Sequence, residues 1–251
     1  MQTVVLSEPD DFDAWRDAAR ALFVSDIRPE DIVWQVGQSP DLFAATTSLP
    51  ATNAVLSVSK SFVALARTAM CHSDAERCAL LYKLLWESKR RRGLLADHAN
   101  PLVRRVEELA KSVRRDIHKM RAFVRFRELN GQYVAWFEPD HHIVRTNARF
   151  FVRRFAAMRW SILTPELSIY WDGKALHEAA GAKREDAPDG DPVEDLWKSY
   201  YASIFNPARV KINAMTKEMP KKYWRNMPET ALIPGLIASA QARESAMIER
   251  S

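Results

Sequence analysis

Within "WFEPDHHIV" (136–144), Glu138, Asp140, His141 and His142 are side chains able to move protons or to hold a divalent ion. Carboxylate oxygens suit hard cations such as Mg²⁺ or Mn²⁺, and an imidazole can serve as general base near neutral pH. Beside phosphate-binding arginines, such a group fits metal-assisted cleavage of a phosphodiester. The plainer alternative gives one histidine to a turn at a strand exit and the other to packing.

The second chemistry is cationic. "RDIHKMRAFVRFRE" (115–128) places arginines, a lysine and a histidine among large apolar side chains. Long cationic side chains spaced along a surface neutralise phosphates and release counterions. Arg104, Lys111, Arg114, Arg115, His118, Lys119 and Arg121 form the first such set, and Arg145, Arg149 and Arg153 a ladder at i, i+4 spacing. In "PKKYWRN" (220–226), Lys221, Lys222 and Arg225 bracket Tyr223 and Trp224. Aromatic rings and guanidinium planes among such charges can stack unpaired bases. The alternative is a solvated basic surface whose aromatics anchor it to the core.

These residues need elements to position them. Asn100-Pro101 reads as an N-cap followed by proline at the first helical position. From there Leu102, Val106, Leu109, Val113, Ile117 and Met120 recur every three or four residues, which predicts a helix with its bases on the opposite face. Asn130-Gly131 is the dipeptide of a two-residue hairpin turn, so Leu129 should face Gln132. Val124, Phe126, Tyr133, Ala135 and Phe137 then share the core face. Phe123, Arg125, Arg127, Val134 and Trp136 share the other, with Arg125 directly across from Trp136.

Upstream, "TVVLS", "DDFDAWRDAARALF" and "DIVWQVG" read as strand, amphipathic helix and strand, and residues 59–120 read as helical throughout. Ser73 with Glu76 has the spacing of a capping box. A second basic helix is expected over 146–160, a bend at Asp172-Gly173, and further helix starts at Asp191-Pro192 and Asn206-Pro207. The fold class is α+β: a mixed sheet with a β-α-β N-terminal portion and a central Asn-Gly hairpin, packed by many helices. It reads as one domain over 1–251, with room for two lobes at 1–58 and 59–251.

At 251 residues, 47% apolar and 27% charged, the chain can bury a real core. The net charge of +5 bears on solubility and partners more than on fold. Cys71 and Cys78, about 10 Å apart along a helix, are too distant for a disulfide and fit no zinc or iron–sulfur spacing. With no leader and no apolar run approaching membrane length, a soluble cytoplasmic protein without membrane contact is expected. There is no Walker A loop, no dinucleotide fingerprint, no nucleophile elbow and no zinc-deaminase signature. No cofactor is expected, except Mg²⁺ or Mn²⁺ under the nuclease reading.

Long strings of this sequence resemble a known family. "HKMRAFVRFRE", "YVAWFEPDHHIV", "FFVRRFAAMRWSILTPELSIYWDG", "LWKSYYASIFNPARVKINAMTKEMPKKYWRNMPE" and "LIPGLIASA" are similar to bacterial proteins described only as probable DNA metabolism proteins. The same domain resembles one found in front of uracil-DNA glycosylase-like (UdgX-type) domains in fusion proteins. The resemblance implies a repair-linked role and, as partner, a radical-SAM repair protein. It carries no catalytic residues over, and glycosylase activity is not implied, because the uracil-pocket and iron–sulfur motifs are missing.

Three functions are therefore in play. The first is a DNA-binding repair accessory, holding damaged or single-stranded DNA on the basic residues, Phe123 and Trp136, and presenting it to a partner enzyme. The second is a DNA-cutting enzyme using Glu138, Asp140, His141 and His142. The third is an interaction module for the radical-SAM partner.

Overall fold

A computed structural model of the chain describes residues 1–37, 56–129, 131–187, 216, 218–235 and 238. The expected turn residue Asn130, the helix starts at Asp191 and Asn206, and the side chain of Arg225 lie outside the described residues. The protein is α+β and divides into two compact units: Met1–His118 with Asp140–Ile143, and Lys119–Pro139 with Val144–Ser251. Residues 59–118 thus go with the N-terminal strands, where the lobes drawn from sequence put them with the hairpin.

The first unit opens with strand β1 (Gln2–Leu6), helix α1 (Phe12–Val24) and strand β2 (Ile32–Val36), the two strands pairing in parallel with Val4 opposite Trp34. Asp11 caps α1 by accepting from the Ala14 amide at 2.9 Å. Helices α2 (Lys60–Met70), α3 (Arg77–Arg90) and α4 (Pro101–Phe123) follow. Leu6, Trp15, Leu22, Phe62, Met70, Leu81, Val103 and Val106 are buried together in their core. The Tyr82 hydroxyl donates to the Ile27 carbonyl at 2.7 Å, which lets a phenol sit among apolar neighbours. Burial also pushes its pKa well above the usual phenol value.

One expected device is absent. The Ser73 hydroxyl bonds a histidine instead of capping, and α3 starts at Arg77 with Glu76 as its N-cap. Buried Arg77 pins this corner: its guanidinium donates to the carbonyls of Met70 (3.0 Å), Asp74 (2.9 Å) and Pro9 (2.9 Å). A planar fork with five donors suits three acceptors lying in different directions.

The second unit is built on a five-stranded sheet. Its strands are β3 (Arg127–Leu129), β4 (Gln132–Trp136), β5 (Trp160–Leu163), β6 (Leu167–Trp171) and β7 (Leu176–Ala180), hydrogen-bonded in that order. Only β4 and β5 run parallel, and helix α5 (Val144–Arg154) connects them, as a parallel pair requires. Leu129 faces Gln132 as the turn dipeptide predicts, and Gly131 takes a φ of +78°, a conformation glycine adopts without strain. Gly173, at φ +96°, makes the expected bend between β6 and β7. The second basic helix is shorter than expected: it ends at Arg154, and Trp160 opens β5 opposite Tyr133. Phe126, Phe151, Phe155 and Trp160 meet ring to ring as the core of this unit.

Candidate nucleic-acid interface

Helix α4 is the element on which the cationic residues are most regularly set. Asn100 Oδ1 accepts from the amides of Leu102 (2.9 Å) and Val103 (3.2 Å), fixing the start of the helix. Val103, Val106, Leu109, Ala110, Val113 and Met120 are buried, while Arg104, Arg105, Lys111, Arg114, Arg115 and His118 are exposed. The acids on the same helix meet different fates. Glu107 takes His98 at 3.1 Å and Glu108 lies 3.9 Å from Arg104, both in the first turns. Asp116 is 2% exposed, on the apolar stripe.

Asp116 is withdrawn to hold a loop. The amide N–H groups of Asp140 and His141 both donate to its Oδ2, at 2.8 and 3.0 Å. The His142 amide donates to the Cys71 carbonyl at 2.8 Å. The buried ring of His141 is then gripped from both sides: Nδ1 meets the Ser73 amide at 3.3 Å and its hydroxyl at 3.0 Å, and Nε2 meets the Ser112 hydroxyl at 2.8 Å. A backbone N–H can only donate, so Nδ1 is the acceptor and the ring proton belongs on Nε2. Nε2–H therefore donates to Ser112 Oγ. The reverse bond would be needed for His141 to activate that hydroxyl as a nucleophile. This arrangement is a pin.

His72 lies against it, ring centroids 4.0 Å apart, with Nδ1 accepting from the Asp74 amide at 2.9 Å. Burial lowers the His72 pKa, and the positive charges of Arg105 and Arg77 and the neighbouring His142 lower it further, against the raising effect of Asp74. A histidine depressed on folding binds its proton more readily when unfolded, so stability is complete above the ordinary value of 6.5 and declines as pH falls below it. We expect urea-unfolding midpoints to drop as the pH is taken below about 6.5. His72→Asn, which keeps an acceptor for the Asp74 amide but does not titrate, should flatten that limb.

A cleft of about 1200 Å³ opens beside the N-terminal half of α4, lined by Lys89, His98, Arg104, Lys111 and Arg114, by the carboxylates Glu107 and Glu108, and by Ser59, Ser61 and Thr68. Lys89 also donates to the Ser57 carbonyl at 2.8 Å. Lys111 and Arg114 make no ion pair among the described residues. Lys89 and His98 were not singled out from sequence. Lys89 opens the basic run KRRR at 89–92, and nothing local in that run shows that its first residue lines a cleft with a helix in the next segment.

In the second unit the expected residues divide. The Trp136 ring, expected on an open face, is only 6% exposed and donates from Nε1 to Glu138 at 3.0 Å. It offers no surface for a base in this conformation. Arg125 is not opposite it, because β3 begins at Arg127; its guanidinium donates to the Ala122 carbonyl at 2.6 Å. Phe123 lies in α4 and packs on Tyr223, centroids 5.4 Å apart. Arg127 pairs in register with Val134. Arg121 donates to Asn147 Oδ1 at 2.8 Å and sits over the Phe150 ring. Arg145 grips Glu178 with Nε and Nη2, whereas Arg149 and Arg153 are exposed. Half-buried Lys119 sits in the last turns of α4. Lys221 and Lys222 are exposed, each over its aromatic neighbour, and Tyr223 is buried with its ring stacked on Phe137. Glu138 belongs to this unit, while Asp140, His141 and His142 belong to the first. Among the described residues, no group of three or more His, Cys, Asp or Glu is arranged to hold a metal ion.

Residues 75–229 match the family described as Domain of unknown function (DUF4130), and the chain belongs to that family. No curated protein and no solved structure matches the chain. No helix among the described residues is long and apolar enough to cross a membrane.

Proposed function

We propose that this member of the DUF4130 family is a DNA-binding protein of DNA repair or DNA metabolism, holding single-stranded or damaged DNA for a partner enzyme. The solvent face of α4 is its primary contact. The observation that carries the reading is the burial of Asp116 against the Asp140 and His141 amides. With that carboxylate inside, every charged side chain that the helix exposes after Glu108 is basic. Lys111 and Arg114, which line the cleft, stand there with the exposed Arg115. Fixed like charges spaced along a rigid helix suit a polyanion better than a single acidic side chain.

The resemblance of the quoted segments to probable DNA metabolism proteins favours DNA as the polyanion and a radical-SAM repair protein as the partner. Cys71 and Cys78 are buried thiols, in keeping with a reducing cytoplasm.

Fluorescence anisotropy with a labelled oligonucleotide across a salt series tests the reading. If Arg104, Lys111, Arg114 and Arg115 each neutralise a phosphate, log affinity falls linearly with log salt, with a slope of about −3 to −4. Binding that ignores salt, or no binding at low salt, refutes it.

A further inference from the structure

The sheet of the second unit carries a row that none of the basic residues above explains. Register places Arg127 opposite Val134, Val134 beside Ser161, Ser161 beside Tyr170, and Tyr170 beside His177. Residues paired directly across strands project from the same face. This row faces away from the side on which Trp160 and Ile162 enter the core, since strand neighbours alternate. Its middle member, Ser161, is small.

The Tyr170 and His177 rings are stacked, centroids 4.6 Å apart and 12° from parallel. That separation is close to the spacing of adjacent strands, about 4.8 Å. The ring planes therefore stand upright between strands, and the second face of Tyr170 looks over Ser161 toward Val134. Strands β4 and β6 lie about 10 Å apart, two strand spacings. A serine leaves most of that width open, and a flat ring in van der Waals contact needs only about 3.5 Å of it. Tyr170 is 41% exposed, and a cavity of about 380 Å³ adjoins it, lined by Gln132, Arg159, Ser161, Asp172 and Lys174.

The charges around this slot are sorted. Asp172 Oδ1 accepts from the Lys174 and Ala175 amides at 2.7 Å each, and Oδ2 meets His177 Nε2 at 3.0 Å. The Ala175 amide, then His177 and the Lys174 amide, hold that carboxyl well below its ordinary range. It anchors the imidazole that backs Tyr170. Arg159 and Lys174 form no ion pair among the described residues.

We propose that this slot takes the base of an unpaired nucleotide. The base stacks on Tyr170, the Gln132 amide and Ser161 hydroxyl meet its polar edge, and Arg159 and Lys174 meet its phosphate. A sheet face with an exposed aromatic and flanking cations is a recurring way to hold single strands. The assignment rests on the nucleic-acid reading above and adds to it a preference for exposed bases.

The test compares a labelled single strand of mixed sequence with an abasic strand of equal length, which keeps the phosphates and lacks the bases. The expected result is that the intact protein binds the base-bearing strand about tenfold more tightly, the scale of one stacked base. Tyr170→Ala removes the difference and Tyr170→Phe, which keeps the ring, retains it. Equal binding of both strands, or a preference that survives Tyr170→Ala, overturns the slot while leaving the basic-face reading intact. Tyr170-dependent binding of the base-bearing strand with none of the abasic strand upholds the slot and removes the basic face. No binding of either strand removes both.

Discussion

Replacing Lys111, Arg114 and Arg115 together by glutamate lowers DNA affinity on the order of a hundredfold at low salt, and the protein stays folded. Each of these side chains is exposed. Each phosphate left without its cation takes about one unit off the salt slope, and charge reversal adds repulsion where attraction was. Folding should hardly notice, because substitutions at exposed sites usually fall within about 0.5 kcal/mol. These positions also lie before the last turn of α4, where the helix dipole most favours cations. Glutamine at the same three positions separates the two parts of the effect: the slope should fall by about two to three with no repulsion added. Anisotropy titrations at several salt concentrations read both. An unchanged affinity in the glutamate variant rules out α4 as the DNA-binding element.

The opposite pattern is expected of Asp116→Ala: a large loss of stability with little change in the salt slope. The two amides that donate to Asp116 would lose their acceptor inside the protein. A buried, charge-assisted pair of bonds of this kind costs about 3 kcal/mol to remove. For a protein of this size that corresponds to a Tm lower by roughly 6–12 °C. Asp116→Asn, which keeps an acceptor oxygen without the charge, should fall between. Calorimetry checks the ordering, and a wild-type Tm in the alanine variant would mean that the loop is held by something else. Together the two variants separate what α4 shows to solvent from what it hides.

Much of the architecture was legible because it rests on local rules. The β-α-β start, the cap at Asn100, the stripe along α4 and the bend at Asp172-Gly173 are each fixed within a few residues. The hairpin is the more instructive case. Alternation put Trp136 on the face that bears Arg127 and Val134, and the observed register agrees. It could not tell that this end of the face is covered, since period two assigns a side chain to a face and says nothing of what lies on it. Asp116 is similar. An acid on an apolar stripe signals a buried carboxylate, but its partners are main-chain groups more than twenty residues on, and amides carry no sequence signal. The Tyr170 row could not be seen at all: it exists only once β5 inserts between β4 and β6.

The four residues Asp140–Ile143 belong to the first unit although the chain on both sides of them belongs to the second. Neither unit is therefore a single stretch of polypeptide. During synthesis the first unit cannot be finished when residue 118 emerges; it must wait for residue 143, by which time β3 and β4 have already been made. A fragment ending at 118 would keep Asp116, Ser73 and Ser112 but lack the loop they hold. It should express as a weaker fold than the same residues show in the whole chain. The protein cannot be divided into its two halves with one cut.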